Sequence, residues 1–120
     1  MNMAVTIITK QKLGINGFQN VSFTALTSTT DGFVFEWDVK DERAVILVQN
    51  EGSSDATITI LAGNGLQGVN DLAAYSVGAD EIAAIVLDSG AFKNVTGESK
   101  GYVKAKGSAT GLKAALIELY

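Results

Sequence analysis

The sequence predicts an all-β fold, one single-domain antiparallel β-sandwich, immunoglobulin-like or jelly-roll-like, over residues 1–120. Three observations carry this. Short runs rich in Val, Ile and Thr recur along the chain, and their branched side chains suit a pleated surface. Turn signals built from Gly, Asn and Asp separate the runs at intervals of about 8 to 12 residues, the spacing of a sandwich or barrel. Within most runs apolar and polar residues alternate with the two-residue period of a half-buried strand.

Val5-Thr6-Ile7-Ile8 opens the series, inside a polar–apolar segment 1–18 that also has the character of an extended arm. Asn16-Gly17 supplies a turn. Residues 20–26 then alternate, with Val21, Phe23 and Ala25 on one face and Ser22 and Thr24 on the other. Asp31-Gly32 predicts a hairpin, because both central positions of a type I′ turn take positive φ. Beyond it Phe33, Phe35 and Trp37 share one face, and Val34, Glu36 and Asp38 the opposite one. Ala44-Val45-Ile46-Leu47-Val48 is apolar on both faces, as a central strand sandwiched between layers is.

Ala56-Thr57-Ile58-Thr59-Ile60-Leu61 alternates cleanly after a polar turn at 50–55. Residues 72–77 and 82–87 are two further strands around a turn at Gly78-Ala79-Asp80, and Tyr102-Val103-Lys104-Ala105-Lys106 is another. The last run, 112–120, carries Leu112, Ala115, Leu116 and Leu119 at the i, i+3, i+4, i+7 spacing of a helix, and 80–87 is alanine-rich behind an Asp cap. Both are assigned as strands, since neighbouring runs need partners to complete two sheets. One short helix remains the alternative at either place.

Composition narrows the function. An apolar fraction of 47% and a charged fraction of 18% are globular values. The chain has no cysteine, hence no disulfide, thiolate metal site or thiol nucleophile, and no histidine, the commonest general base and transition-metal ligand. The likeliest routes to hydrolase or oxidoreductase chemistry are thereby removed, so the expectation is a protein that is not an enzyme and takes no cofactor. Net charge is −4 with Arg43 the single arginine, which argues against nucleic acid as partner. Lys100, Lys104 and Lys106 form the densest basic stretch and suit solvated strand positions better than a phosphate track. No apolar run approaches the roughly 20 residues of a membrane span, and the first residues lack the basic region of a signal peptide.

Each candidate site competes with a plainer explanation. Phe33, Phe35 and Trp37 have the spacing of an aromatic platform for a sugar ring, but three aromatics at period two more often form a sandwich core. Asp31, Asp38, Asp41 and Glu42 gather carboxylates, yet lack the ligand spacing of a calcium loop and include Lys40 and Arg43 as balancing charges. Gly63-Asn64-Gly65-Leu66-Gln67-Gly68 matches the dinucleotide-binding glycine pattern literally. The next residues, Val69-Asn70-Asp71-Leu72, do not start an amphipathic helix, so an interface loop is the better explanation. Asn20-Val21-Ser22 and Asn94-Val95-Thr96 match the glycosylation acceptor pattern, without consequence in a chain not directed to secretion. No catalytic, cofactor-binding or metal-binding residue is assigned.

From Ala44 onward the chain resembles small virion proteins encoded among the head genes of tailed bacteriophages, the capsid decoration or cement proteins. The resemblance is carried by Ala44-Val45-Ile46-Leu47-Val48-Gln49-Asn50 running into Thr57-Ile58-Thr59-Ile60, by Ala62-Gly63-Asn64-Gly65-Leu66-Gln67-Gly68 with Asp71-Leu72, and by Leu87-Asp88-Ser89-Gly90-Ala91-Phe92-Lys93-Asn94-Val95 before the lysine-bearing strand from Tyr102. It implies a β-sandwich without an active site that clamps neighbouring capsomers. The implied partners are the major capsid protein or another virion protein and further copies of the chain, trimers above all, and no membrane. The implied location is the virion, after synthesis in the host bacterial cytoplasm. Partner contact is expected at residues 1–18 and in the loop 63–71, through Asn64, Leu66, Gln67, Val69 and Asn70. A glycan-binding module of a phage tail or fibre is the alternative.

Overall fold

The structure, a computed structural model, describes residues 6–29, 32–39, 43–63, 71–87, 92–94 and 101–119. These form ten strands: β1 (Thr6–Ile8), β2 (Lys10–Lys12), β3 (Thr24–Ala25), β4 (Phe33–Glu36), β5 (Ala44–Asn50), β6 (Ala56–Ile60), β7 (Tyr75–Val77), β8 (Ile82–Ile85), β9 (Tyr102–Gly107) and β10 (Leu112–Glu118). One sheet has the order β1-β4-β9-β6-β7 and the other β2-β10-β5-β8, with β3 also paired to β10. Their inner faces enclose one core. The β-sandwich expected from the sequence is the fold observed.

Period-two patterning explains the core. In β5 the inward Ala44, Ile46, Val48 and Asn50 are buried, and Val45, Leu47 and Gln49 between them are only half-buried. Strand β10 pairs with β5 along its whole length, setting Leu112, Ala114 and Leu116 against Asn50, Val48 and Ile46. From the facing sheet come Phe33 and Phe35 of β4, Ile58 and Ile60 of β6, and Val103 and Ala105 of β9, with Trp37 just beyond β4. Phe33, Phe35 and Trp37 are fully buried, and the two phenylalanine rings lie tilted with centroids 6.0 Å apart. Each such side chain contributes on the order of 2–3 kcal/mol of burial.

Four elements depart from the sequence-based expectations. First, the sheets are mixed rather than purely antiparallel: β1 runs parallel to β4, and β2 parallel to β10. The chain passes from one sheet to the other at Thr9, so residues 6–12, instead of forming part of an arm, supply an edge strand to each sheet. The following residues, 13–23, leave the sheets and are mostly exposed. Second, Gly32 does not close a hairpin. Strand β3 belongs to one sheet and β4 to the other, so the turn is an arch between layers. Gly32 takes φ +74°, and a Cβ there would run into the carbonyl oxygen of Ala105.

Third, only Thr24–Ala25 of the 20–26 run is a strand, and the phase is reversed. Val21 and Ala25 are exposed, Phe23 is half-buried, and Leu26 enters the core. Fourth, neither segment with helical spacing is a helix. Residues 82–85 and 112–118 are β8 and β10, so Leu112 and Leu116 face inward while Ala115 and Leu119 face outward. Seven paired positions with β5 outweigh the helix propensity of alanine and leucine.

One buried amide ties the layers together. Asn50, at the end of β5, donates from Nδ2 to the carbonyl oxygens of Ser54 and Val77, and its Oδ1 accepts from the Gly52 amide, all at 2.9 Å. Its own main chain accepts from the Asp80 amide and donates to the Glu81 carbonyl. Asp80 sits in the left-handed region at φ 63°, as the turn at 78–80 requires. The arch from β7 to β8 is thereby fastened to β5.

Candidate functional site

The two outer faces of the sandwich differ in chemistry. On the β1-β4-β9-β6-β7 sheet the outward pairs are Val34 with Lys104, Glu36 with Tyr102, Thr59 with Lys106 and Thr57 with Ser76, and Ile7, beside Val34 at the β1 edge, is the apolar exception. Such a face is at home in water. On the β2-β10-β5-β8 sheet, Leu47 stands between Ala84 and Ala115, and Val45 is paired with Ile117. Polar residues appear there only toward the ends, at Gln49 and Lys113, and at Gln11 on the β2 edge.

Exposure rises across this apolar face from β10 to β8. Ala115 and Ile117 are buried, Val45 and Leu47 half-buried, and Ile82 and Val86 are 56% and 52% exposed. The covered side lies toward residues 13–25, where the Gln11 amide exchanges two hydrogen bonds with the main chain of Ser22 and β3 pairs with β10. The strip along β8, with Ile82, Ala84 and Val86 pointing outward, carries no charged side chain.

The same flank of the molecule is open between the layers. Strands β7 and β8 are the edges of their respective sheets, and a groove of about 540 Å³ runs between them. Leu72 and Tyr75 form one lip, Ile82–Ile85 the other, and Ile46, Val48, Ile58 and Ile60 the floor. Tyr75 is 61% exposed on this rim. The opposite flank is charged instead. Lys10 and Lys12 of β2 approach the buried carboxylate of Glu118 at 3.3 and 3.9 Å, and Lys10 also reaches the main-chain oxygen of Asp38 at 2.6 Å.

The residues that stand out in the sequence are scattered over the fold. Phe33, Phe35 and Trp37 belong to the core, so they offer no platform to a sugar ring. Asp38 is exposed, with Lys10 as its neighbour, and Asp31, Lys40, Asp41 and Glu42 lie outside the described residues. Asn64, Leu66, Gln67, Val69 and Asn70 also lie outside them, but the base of their loop is described. Gly63 packs against the main chain of Lys93, too close for a side chain. The Asp71 carboxylate accepts from the Ala62 amide at 2.7 Å, and the Leu72 amide donates to Ile60. Glycine and aspartate there have local structural reasons. Lys104 and Lys106 lie on the solvated face, and Asn94 is buried with its Nδ2 on the Tyr102 carbonyl.

Sequence reasoning misses the apolar outer face, although its signal is visible in Ala44-Val45-Ile46-Leu47-Val48 and in 82–87. A run apolar on both sides implies a strand covered on both sides, yet among the described residues no third layer covers the β5–β8 half. No group of three or more metal-ligating side chains gathers among the described residues, and no helix among them is long and apolar enough to cross a membrane. Comparison of the chain with protein-family profiles, curated proteins and solved structures finds no match.

Proposed function

We propose that this chain is a structural protein of the tailed-phage virion, a capsid decoration or cement protein that stabilises the head through protein–protein contacts and catalyses no reaction. The observation that carries the proposal is the apolar outer face of the β2-β10-β5-β8 sheet, with Val45, Leu47, Ile82, Ala84 and Val86 open to a partner. Exposed contiguous apolar surface of this kind marks an interaction site on an otherwise charged small domain. The resemblance from Ala44 onward supplies the class of partner, the major capsid protein or another virion protein. A module repeated many times on a shell binds by avidity, so one modest apolar patch per copy is sufficient. The glycan alternative loses its basis with Trp37 in the core.

Co-sedimentation with undecorated capsids of the phage tests this. The expected result is saturable binding that Leu47→Asp weakens at least about tenfold and that Thr57→Asp, on the solvated face, leaves unchanged. Absence of wild-type binding at about 100 µM, well above the affinities of functional contacts, overturns the proposal.

A further inference from the structure

Among the described residues no strand pairs with the outer edge of β8, and the backbone groups of that edge are not used by the capsid proposal, which rests on side chains of the adjoining face. We infer that this edge is a self-association site, where a second copy of this chain adds its own β8 antiparallel about a two-fold axis through Ala84.

The backbone directions come first. The Asn50 amide donates to the Glu81 carbonyl, and the register runs on through Val48 with Ala83 and Ile46 with Ile85. Alternate residues of an antiparallel ladder therefore turn their amides and carbonyls toward β5 at 81, 83 and 85, and toward the open edge at 82, 84 and 86. A second β8 related by a two-fold axis at Ala84 sets Ala84 against Ala84 and Ile82 against Val86 of the other copy. Those are the residues whose backbone groups face outward from the edge. The same register keeps outward side chains together on one face, as antiparallel pairing demands. Ile82 and Val86, each about half exposed, then meet across the axis, and the apolar outer faces of two copies become continuous.

The β1 and β2 edges are less suited. Strand β2 carries Lys10 and Lys12, the usual device against edge-to-edge pairing. Strand β1 turns a single residue, Ile7, outward, and its other two are buried. Strand β8 reads Ile-Ala-Ala-Ile, with no charge, proline or glycine within it. The two-fold also turns the two β7–β8 grooves toward each other, so that Tyr75 and Leu72 of each copy lose solvent. Covering these groups removes on the order of 1,000 Å² over both copies, the lower bound of a specific interface. A two-fold contact uses one patch twice and closes on itself, so the expected species is a dimer with micromolar dissociation and not a filament.

Sedimentation velocity from about 1 to 200 µM, without capsids, reads the mass. The wild type is expected to shift from one chain to two across this range. Ala84→Glu and Ala84→Lys, both at an exposed position, place like charges on the axis and are each expected to weaken the dimer at least about tenfold. An equimolar mixture of the two variants is expected to restore it, because opposite charges then meet. Circular dichroism of each variant verifies folding. A wild type that stays monomeric throughout, a mass of three chains, or two variants that dimerise alone as well as the wild type each overturn the inference. Capsid binding is measured separately, so either proposal fails without the other.

Discussion

The side-chain amide of Asn50, in one sheet, donates to the main-chain oxygen of Val77, in the other, at 2.9 Å. It is the polar counterpart of the apolar core: Asn50 is 1% exposed, and its three side-chain bonds hold β5, the turn after it and the end of β7 in one arrangement. Replacing Asn50 by Ala leaves a buried carbonyl and the Gly52 amide without partners, at an expected cost of about 2–4 kcal/mol. Asn50→Asp costs more, since a carboxylate there faces two carbonyl oxygens. Urea unfolding midpoints of the two variants give the order directly.

Gly32 and Gly107 separate two kinds of crowding. A methyl group at Gly32 meets the Ala105 carbonyl on a backbone at φ +74°, whereas at Gly107 it meets the terminal carbons of Leu26 and Leu112 at 2.8 Å. Main chain cannot yield and side-chain tips can. Gly32→Ala is expected to cost about 4 kcal/mol and Gly107→Ala about 1–2 kcal/mol. Equal costs in thermal unfolding would contradict the arch geometry at Gly32.

Leu116 and Ile46 oppose each other one pair from the centre of the β10–β5 ladder, both fully buried. Leu116→Ala is expected to lose about 3 kcal/mol of stability. Ile82→Ser, on the exposed strip, is expected to change the stability of the isolated chain by less than about 0.5 kcal/mol while weakening association. A mapped interface and a mapped core should thus separate in denaturation and sedimentation.

Trp37 is the chain's single tryptophan and is 1% exposed. Its emission is expected to be blue-shifted and resistant to acrylamide until the protein unfolds, and unmoved by added saccharides. Strong quenching of the native protein would place the indole at the surface. Its Nε1 has no hydrogen-bond partner among the described residues, so Trp37→Phe forfeits packing but no bond within them.

Glu118 is buried beside Lys10 and Lys12, whose side chains remain 34% and 69% exposed. Glu118→Gln is expected to cost on the order of 1 kcal/mol and to flatten the salt dependence of stability. Lys10→Met is expected to cost more than Lys12→Met, because Lys10 is the nearer of the two and is also bound to the Asp38 carbonyl.

Strand identity is legible in the sequence wherever one pattern dominates. The alternation in 56–61 and 33–37 reports a two-sided environment, and the structure returns the same inward residues. Pairing is not legible, because Asp-Gly and Gly-Ala-Asp turns look alike whether the chain doubles back in its own sheet or crosses to the other. The phase of 20–26 is lost for a related reason: one core residue, Leu26, decides it, and the strand itself is only Thr24–Ala25. The apolar outer face is visible as residues but not as a surface, since a strand apolar on both sides is equally consistent with a third layer and with a partner.

Among the described residues, strand β2, at Lys10–Lys12, pairs with Leu116–Glu118 of β10, far along the chain. At roughly 5–20 residues per second, β10 leaves the ribosome several seconds after β2. Until then β2 has no partner strand and β5 lacks its longest one. Contacts so distant in sequence also slow the folding step itself into the millisecond-to-second range. The sandwich therefore closes only once β10 has emerged, in one late event. A nascent chain stays incompetent for association through β8 until β5, which holds β8 in register, is itself locked by β10.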